Sequence, residues 1–302
     1  MKRIIGHGLL AFALLAASLP ASAALRILAT TADWGALATE LGGDRVAVYT
    51  ATSALQDVHR VEARPSLIAR ARNADLLVAN GAELELGWLP VLVQESGNPR
   101  IQRGAPGYFE AAAQLRLVEV PAQFDRAQGD IHAQGNPHVQ LDPHNVGLVA
   151  RALSARLAAL DPGGAAYYAA RARDFGARWD AAIRHWEEMA APLRGTPVVI
   201  MHRDQVYLCR WLGLTEVASI EPKPGVPPSA GYLGQLVTRL AATPARAILL
   251  NAYNDPKAAN WLSQRVKAQA VVLPFSVGGS DRAKDLFGLF DDTIERLLEA
   301  VR

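Results

Sequence analysis

The sequence predicts an α/β protein: two parallel-sheet α/β lobes joined by a single long rigid helix, with a ligand cleft between the lobes. Three observations predict it. Short, uninterrupted apolar runs alternate with helical stretches at both ends of the chain, as parallel strands buried on both faces should read. The middle, residues 145–193, is rich in Ala, Arg and Leu, and is free of proline from Ala165 to Met189. A chain of 302 residues is also more than one hydrophobic core ordinarily serves.

The first segment lies outside that fold. Lys2 and Arg3 precede an apolar run from Leu9 to Leu19, and Pro20-Ala21-Ser22-Ala23 follows. A basic start, a short apolar core and a small-x-small ending form the signature of a cleavable secretory signal. The run is shorter than the roughly 20 apolar residues a bilayer-spanning helix needs, so an uncleaved anchor is the poorer reading. Residues 1–23 are therefore read as a signal peptide cut near Ala23, with the mature chain starting near Ala24 in the periplasm. No cysteine lies there to carry a lipid, and a soluble protein is expected.

Residues 25–29 then read as a strand, 33–41 as a helix ended by Gly42-Gly43, and 46–49 as a second strand. Residues 65–73 form an amphipathic stretch, and 75–79 a third strand stopped by Asn80-Gly81. After a break at Asp161-Pro162-Gly163-Gly164, residues 165–189 suit one helix of about 37 Å at 1.5 Å per residue. Strand-like runs return at 197–201, 247–250 and 270–273, with helical sequence after them, the last from 284 to 301. The expected organisation is a leader (1–23), an N-terminal α/β lobe (24–163), a linking helix (164–193) and a C-terminal α/β lobe (194–302). Ligands of such folds sit where the carboxyl ends of strands converge.

Charge and cysteine narrow the function. Removing Lys2 and Arg3 with the leader takes the formal charge from +2 to zero, which gives no electrostatic case for nucleic acid. Cys209 is the only cysteine, so no intramolecular disulfide can form, and its apolar surroundings mark it as a core residue.

Three histidines occupy unusual places. His59 follows the strand 46–49 and its loop within Gln56-Asp57-Val58-His59-Arg60. His138 lies in Gly135-Asn136-Pro137-His138-Val139-Gln140-Leu141-Asp142-Pro143. His202 comes directly after Val198-Val199-Ile200-Met201, at the carboxyl end of a strand. Three imidazoles plus one further position suit tetrahedral zinc. The three are far apart and share no short ligand motif, so spacing alone leaves metal binding open against ordinary loop and core histidines.

Asp57-x-His59 with Arg64-Pro65-Ser66, Ala74-Asp75-Leu76-Leu77-Val78-Ala79-Asn80-Gly81 and Trp88-Leu89 resembles the N-terminal lobe of the zinc/manganese ABC-transporter solute-binding proteins. Asn136-Pro137-His138-Val139 with Leu141-Asp142-Pro143 resembles that family's second ligand loop. Val199-Ile200-Met201-His202 with Tyr207 and Trp211-Leu212-Gly213-Leu214 resembles its third. The resemblance covers essentially the whole mature chain. It implies a metal held between two lobes by His59 and His138 from the first and His202 from the second, and an ABC permease that accepts the ion. Two departures stand out. Val58 replaces a frequent proline, and the family's long His-rich loop shrinks to residues 129–135, where His132 is its one remnant.

Some members of that family add an aspartate from the loop after the last strand, and others use water. Val277 stands where that aspartate often falls, and Asp281 is four residues further on, past Gly278-Gly279. These glycines would let the chain fold Asp281 into the cleft, so Asp281 is the expected fourth ligand, with water and Glu221 as alternatives. Its structural alternative is solvation or capping of the following helix, a role for which Asp285 competes. His132 reads as a solvated loop residue or a transient metal collector, and Glu221, in the stiff Pro-rich tract 221–229, as a loop carboxylate or a partner of a ligand. His144 at a helix start and His185 on the long helix read as structural and solvent-facing.

The function expected is a monomeric periplasmic binding protein, not an enzyme. It captures a transition metal, Zn2+ before Mn2+, and delivers it to an ABC permease, with a metallochaperone as a further candidate partner. A secreted zinc hydrolase is the rival, but neither an HExxH helix nor a Gly-x-Ser-x-Gly elbow is present,. A metal-dependent adhesin would share the fold but lacks a lipidated cysteine to retain it at a surface.

Overall fold

The computed structural model describes residues 23–123, 129 and 132–302. Residues 1–22 of the expected leader lie outside the described residues, as do Asp130 and Ile131 of the loop before His132.

Two four-stranded sheets make the frame. The first contains β1 (Leu25–Ala29), β2 (Val46–Thr50), β3 (Leu76–Ala79) and β4 (Tyr108–Glu110) in the order β2-β1-β3-β4. The second contains β5 (Pro197–Ile200), β6 (Thr215–Ser219), β7 (Ala247–Asn251) and β8 (Gln269–Leu273) in the matching order β6-β5-β7-β8. Every strand pair is parallel. Helices α1 (Ala32–Gly42), α2 (Pro65–Asn73) and α3 (Leu89–Ser96) belong to the first half, and α6 (Val206–Leu212), α7 (Ala230–Ala242), α8 (Lys257–Ser263) and α9 (Leu286–Val301) to the second. Between them run α4 (Pro143–Leu160) and α5 (Ala165–Met189).

The central strands β3 and β7 are wholly buried, which explains their unbroken apolar sequence. The two strands that sequence reading missed, β4 and β6, are sheet edges. β6 reads Thr-Glu-Val-Ala-Ser and is largely half-exposed, so it lacks the continuous apolar signal of a strand covered on both faces.

Helix α5 is a spine shared by both halves. Trp179 and Trp186 are fully buried and stack into one aromatic cluster with Phe175, Phe287 and Phe290. Each indole N–H is satisfied, Trp179 by the Pro143 carbonyl at 2.8 Å and Trp186 by Asp291 at 2.6 Å. One apolar core therefore runs from Ile27 and Trp34 of the first sheet layer through α5 to Leu249 and Phe290 of the second. Among the described residues, no helix is long and apolar enough to cross a membrane.

Candidate metal centre

Loops at the carboxyl ends of β2, β3, β5, β7 and β8 meet between the two sheets, and the segment preceding α4 enters the same space. Four imidazoles meet there: His59, His132, His138 and His202. Five of their ring pairs have centroids 5.4 to 6.4 Å apart.

Each of the three expected histidines is held in the same way. Asp57 precedes the single turn Val58–Arg60 and accepts the His59 backbone N–H at 3.0 Å and its ring Nδ1–H at 2.8 Å. The Trp88 indole fixes this turn by donating to the Val58 carbonyl at 2.8 Å. Asn136 does the same for His138, its Oδ1 taking the backbone N–H at 3.1 Å and the Nδ1–H at 3.0 Å. His202 follows β5, and its Nδ1 donates to Glu221 Oε2 at 2.6 Å, an oxygen that also accepts the Gly225 N–H at 2.7 Å. With Nδ1 used by an oxygen, the tautomer is set and Nε2 is left to face the shared space. His138 Nε2 is buried with no hydrogen-bond partner.

His132 completes the group. Its Nε2 lies 3.3 Å from His59 Nε2. Two nitrogens on one tetrahedral ion at 2.0–2.1 Å would be about 3.3–3.4 Å apart, and the four ring centroids about 5 Å apart. The five centroid separations exceed that by about 0.4 to 1.4 Å,. Accordingly, no three His, Cys, Asp or Glu side chains among the described residues are already closed around an ion. Ring rotation within fixed loops is the adjustment that would close the group.

The electrostatics divide the four. Burial, then the positive charge of His59 and His202, pushes His132 down to about 3. The same causes hold His138 well below the usual imidazole range, so both present lone pairs at neutral pH. Burial also lowers His202, but the Glu221 hydrogen bond and the charges of Asp204, Glu221 and Asp57 outweigh it and raise the group to about 9. Asp204 is wholly buried behind the site and accepts from Asn251 and from Tyr253, the latter at 2.8 Å. On one side the group opens to a cleft of about 640 Å³ lined by His59, His202, Glu221, Tyr253 and Trp261.

The remaining expectations fall differently. Asp281 is exposed and lines none of the cavities that the four histidines line. The loop after β8 is instead tied to the first half, with Ser276 Oγ and the Val277 N–H donating to Asp33 at 2.7 and 3.0 Å. This brings the Phe275 ring, not a carboxylate, within 6.1 Å of the His138 ring. Asp285 caps α9 through the Gly288 N–H. Glu221 is the partner of His202. His144 is exposed beside Glu187, and His185 is exposed on α5. Burial raises the Cys209 thiol to about 12, which leaves it unreactive. The residue that sequence reading undervalued is His132, whose one signal was being the only histidine in the short loop 129–135.

The sequence profile of the family described as ZnuA, "Zinc-uptake complex component A periplasmic", matches residues 27–300. Among curated proteins, the manganese ABC transporter substrate-binding lipoprotein PsaA of Streptococcus anginosus is 23% identical over 159 residues, 52% of this chain and 48% of that protein. The high-affinity zinc uptake system protein ZnuA of Brucella abortus (strain 2308) is 26% identical over 133 residues, 44% of this chain and 40% of that protein. The matched stretch thus spans about half the length of these relatives or less. A crystal structure of ZnuA superposes with a TM-score of 0.77 at 21% identity, covering 92% of this chain and 100% of that one. The Mn-bound periplasmic metal binding protein from Candidatus Liberibacter asiaticus gives 0.74 at 18% identity, with the same coverage. At these identities the structures speak for the fold.

Proposed function

The chain belongs to the ZnuA family of periplasmic proteins, and from that premise we propose that it is the metal-capturing component of an ABC importer. It binds one zinc ion through His59, His132, His138 and His202 and delivers it to a membrane permease. The lobes of this binding protein are residues 24–163 and 194–302, with 164–193 as the linking helix between them.

The observation that carries the reading is the convergence of four imidazoles, three with Nδ1 engaged by an oxygen and two with Nε2 atoms 3.3 Å apart. Oxygen-anchored imidazoles are the usual arrangement of metal-ligating histidines. His132 is a better fourth ligand than Asp281, because Asp281 is exposed while His132 lies against His59. A hydrolase would need a carboxylate free to act on metal-bound water. Asp57 and Glu221, which flank the imidazoles, are already bonded to Nδ1 atoms.

The choice of metal follows from the donor set. Nitrogen-rich, four-coordinate sites favour zinc, whereas manganese favours oxygen-rich sites and lies lower in the affinity order. A competition titration of purified mature protein is expected to give zinc an advantage of several orders of magnitude. His59→Ala, His138→Ala and His202→Ala should each weaken zinc strongly, and His185→Ala should not. Comparable zinc and manganese affinities, or parent-like zinc affinity in His202→Ala, would defeat the assignment.

A further inference from the structure

Gly81, Ala82 and Glu83 leave the end of β3 in three successive left-handed backbone conformations, with φ of 84°, 50° and 66°. Glycine adopts this region freely, while alanine and glutamate do so only where surrounding contacts hold them. Glu85 fixes the start of this turn. Its buried carboxylate accepts the Asn80 N–H at 2.7 Å, the Gly81 N–H at 3.1 Å and the Thr30 hydroxyl at 2.5 Å. A further bond from the Leu84 N–H to the Gly81 carbonyl closes the turn.

What this strained turn touches is the His132 segment. Glu83 Oε2 accepts the Ala133 N–H at 2.8 Å, a bond between residues 50 positions apart. Further along, the Gly135 N–H donates to the His132 carbonyl and the Asn136 N–H to the Val118 carbonyl, so the segment 132–136 is pinned at both ends. The first pin is Glu83.

We propose that Glu83 is a positioning residue for metal binding: carried by the turn that Glu85 anchors at Asn80 and Gly81, it holds the His132 turn so that His132 Nε2 meets the ion beside His59 Nε2. The inference rests on the reading of His132 as a ligand. Glu83 touches no metal itself. Its carboxylate holds the backbone next to His132, where Asp57, Asn136 and Glu221 bind the Nδ1 atoms of the other three imidazoles directly, and it does so from a backbone conformation that costs local stability,.

The test is the zinc release rate of the mature protein, followed by capture with an excess of chelator, alongside the melting temperature of the metal-free form. Glu83→Ala is expected to speed release about tenfold, the low end of the range for loss of a residue that orients a ligand. Glu83→Gln keeps an amide oxygen to accept the Ala133 N–H and should stay within about twofold of the parent. In a His132→Ala background, Glu83→Ala should add nothing. Glu83→Gly relieves the left-handed strain, so it should release zinc faster while its metal-free melting temperature is unchanged or higher. Unchanged release in Glu83→Ala alongside fast release in His132→Ala would overturn the role of Glu83 and leave His132 a ligand. Equal acceleration by Glu83→Ala in both backgrounds, or faster release only in step with a lower metal-free melting temperature, would overturn it as well. Unchanged release in His132→Ala would remove the underlying reading, and this inference with it.

Discussion

The Nε2 atoms of His59 and His132 stand 3.3 Å apart although 73 positions separate the two residues in the chain. The His59 ring gives its Nδ1 hydrogen to Asp57, which leaves its Nε2 facing His132. His132, lowered to about 3 by burial and neighbouring charge, is neutral at physiological pH. Two imidazole nitrogens at this distance share one hydrogen at most, and a cation between them would be bound by both.

Proton release is the first consequence. His202 titrates at about 9 because Glu221, Asp204 and Asp57 outweigh its burial, so at pH 7 the metal-free protein carries a proton that zinc must displace. Apparent zinc affinity is therefore expected to rise about tenfold per pH unit below 9, with about one proton released per ion at pH 7. Calorimetry in two buffers of different ionisation enthalpy measures this directly. Glu221→Ala removes the strongest raising contact and should cut the release. Zero release from the parent at pH 7 would contradict the charge state described for His202.

Asp33 links stability to pH. Burial chiefly, against its bonds to Ser276 and Val277, raises its carboxyl from 3.8 to about 6. The folded state then holds the proton more tightly than the unfolded state between those values. The stability this group contributes is complete below about pH 4 and is lost as pH rises through 6, a difference on the order of 2–3 kcal/mol. Asp33→Asn is uncharged throughout. In urea unfolding of metal-free protein, the stability of the variant relative to the parent should grow by that amount between pH 4 and pH 7. A flat difference across the window would show that Asp33 is already ionised at the interface.

Export is checked at the N-terminus. The Lys2–Ala23 pattern resembles a cleavable leader,, and cleavage near Ala23 is the prediction. Intact-mass measurement of the periplasmic protein should find a chain beginning at or near Ala24, and a soluble form that retains Met1 would contradict it.

The parts of the site legible in the sequence were those set by local structure. His202 comes directly off an apolar strand, and the Asn136-Pro137-His138 and Asp57-x-His59 patterns carry their own hydrogen-bond partners two residues upstream. His132 was not legible, because its place depends on Glu83 and Val118, which approach through tertiary contacts alone. Asp281, the expected fourth ligand, stands exposed and apart from the imidazoles for the same kind of reason. Phe275 turns the loop at φ 65° and Asp33 draws Ser276 and Val277 across the interface, so closeness in sequence to the last strand did not bring the carboxylate to the imidazoles. In the fold, the buried strands and the apolar edges β2 and β8 were legible, whereas the edge β4 is only three residues long and the edge β6 is too polar to give an apolar run,.

The most direct test of the four-imidazole site is X-ray absorption at the zinc K-edge of the loaded mature protein. The account predicts a first shell of four nitrogens at about 2.0–2.1 Å with the multiple scattering of four imidazoles. It also predicts a count of three in His132→Ala and no change in Asp281→Ala. Three imidazoles and an oxygen in the parent, unaltered by His132→Ala, would contradict it.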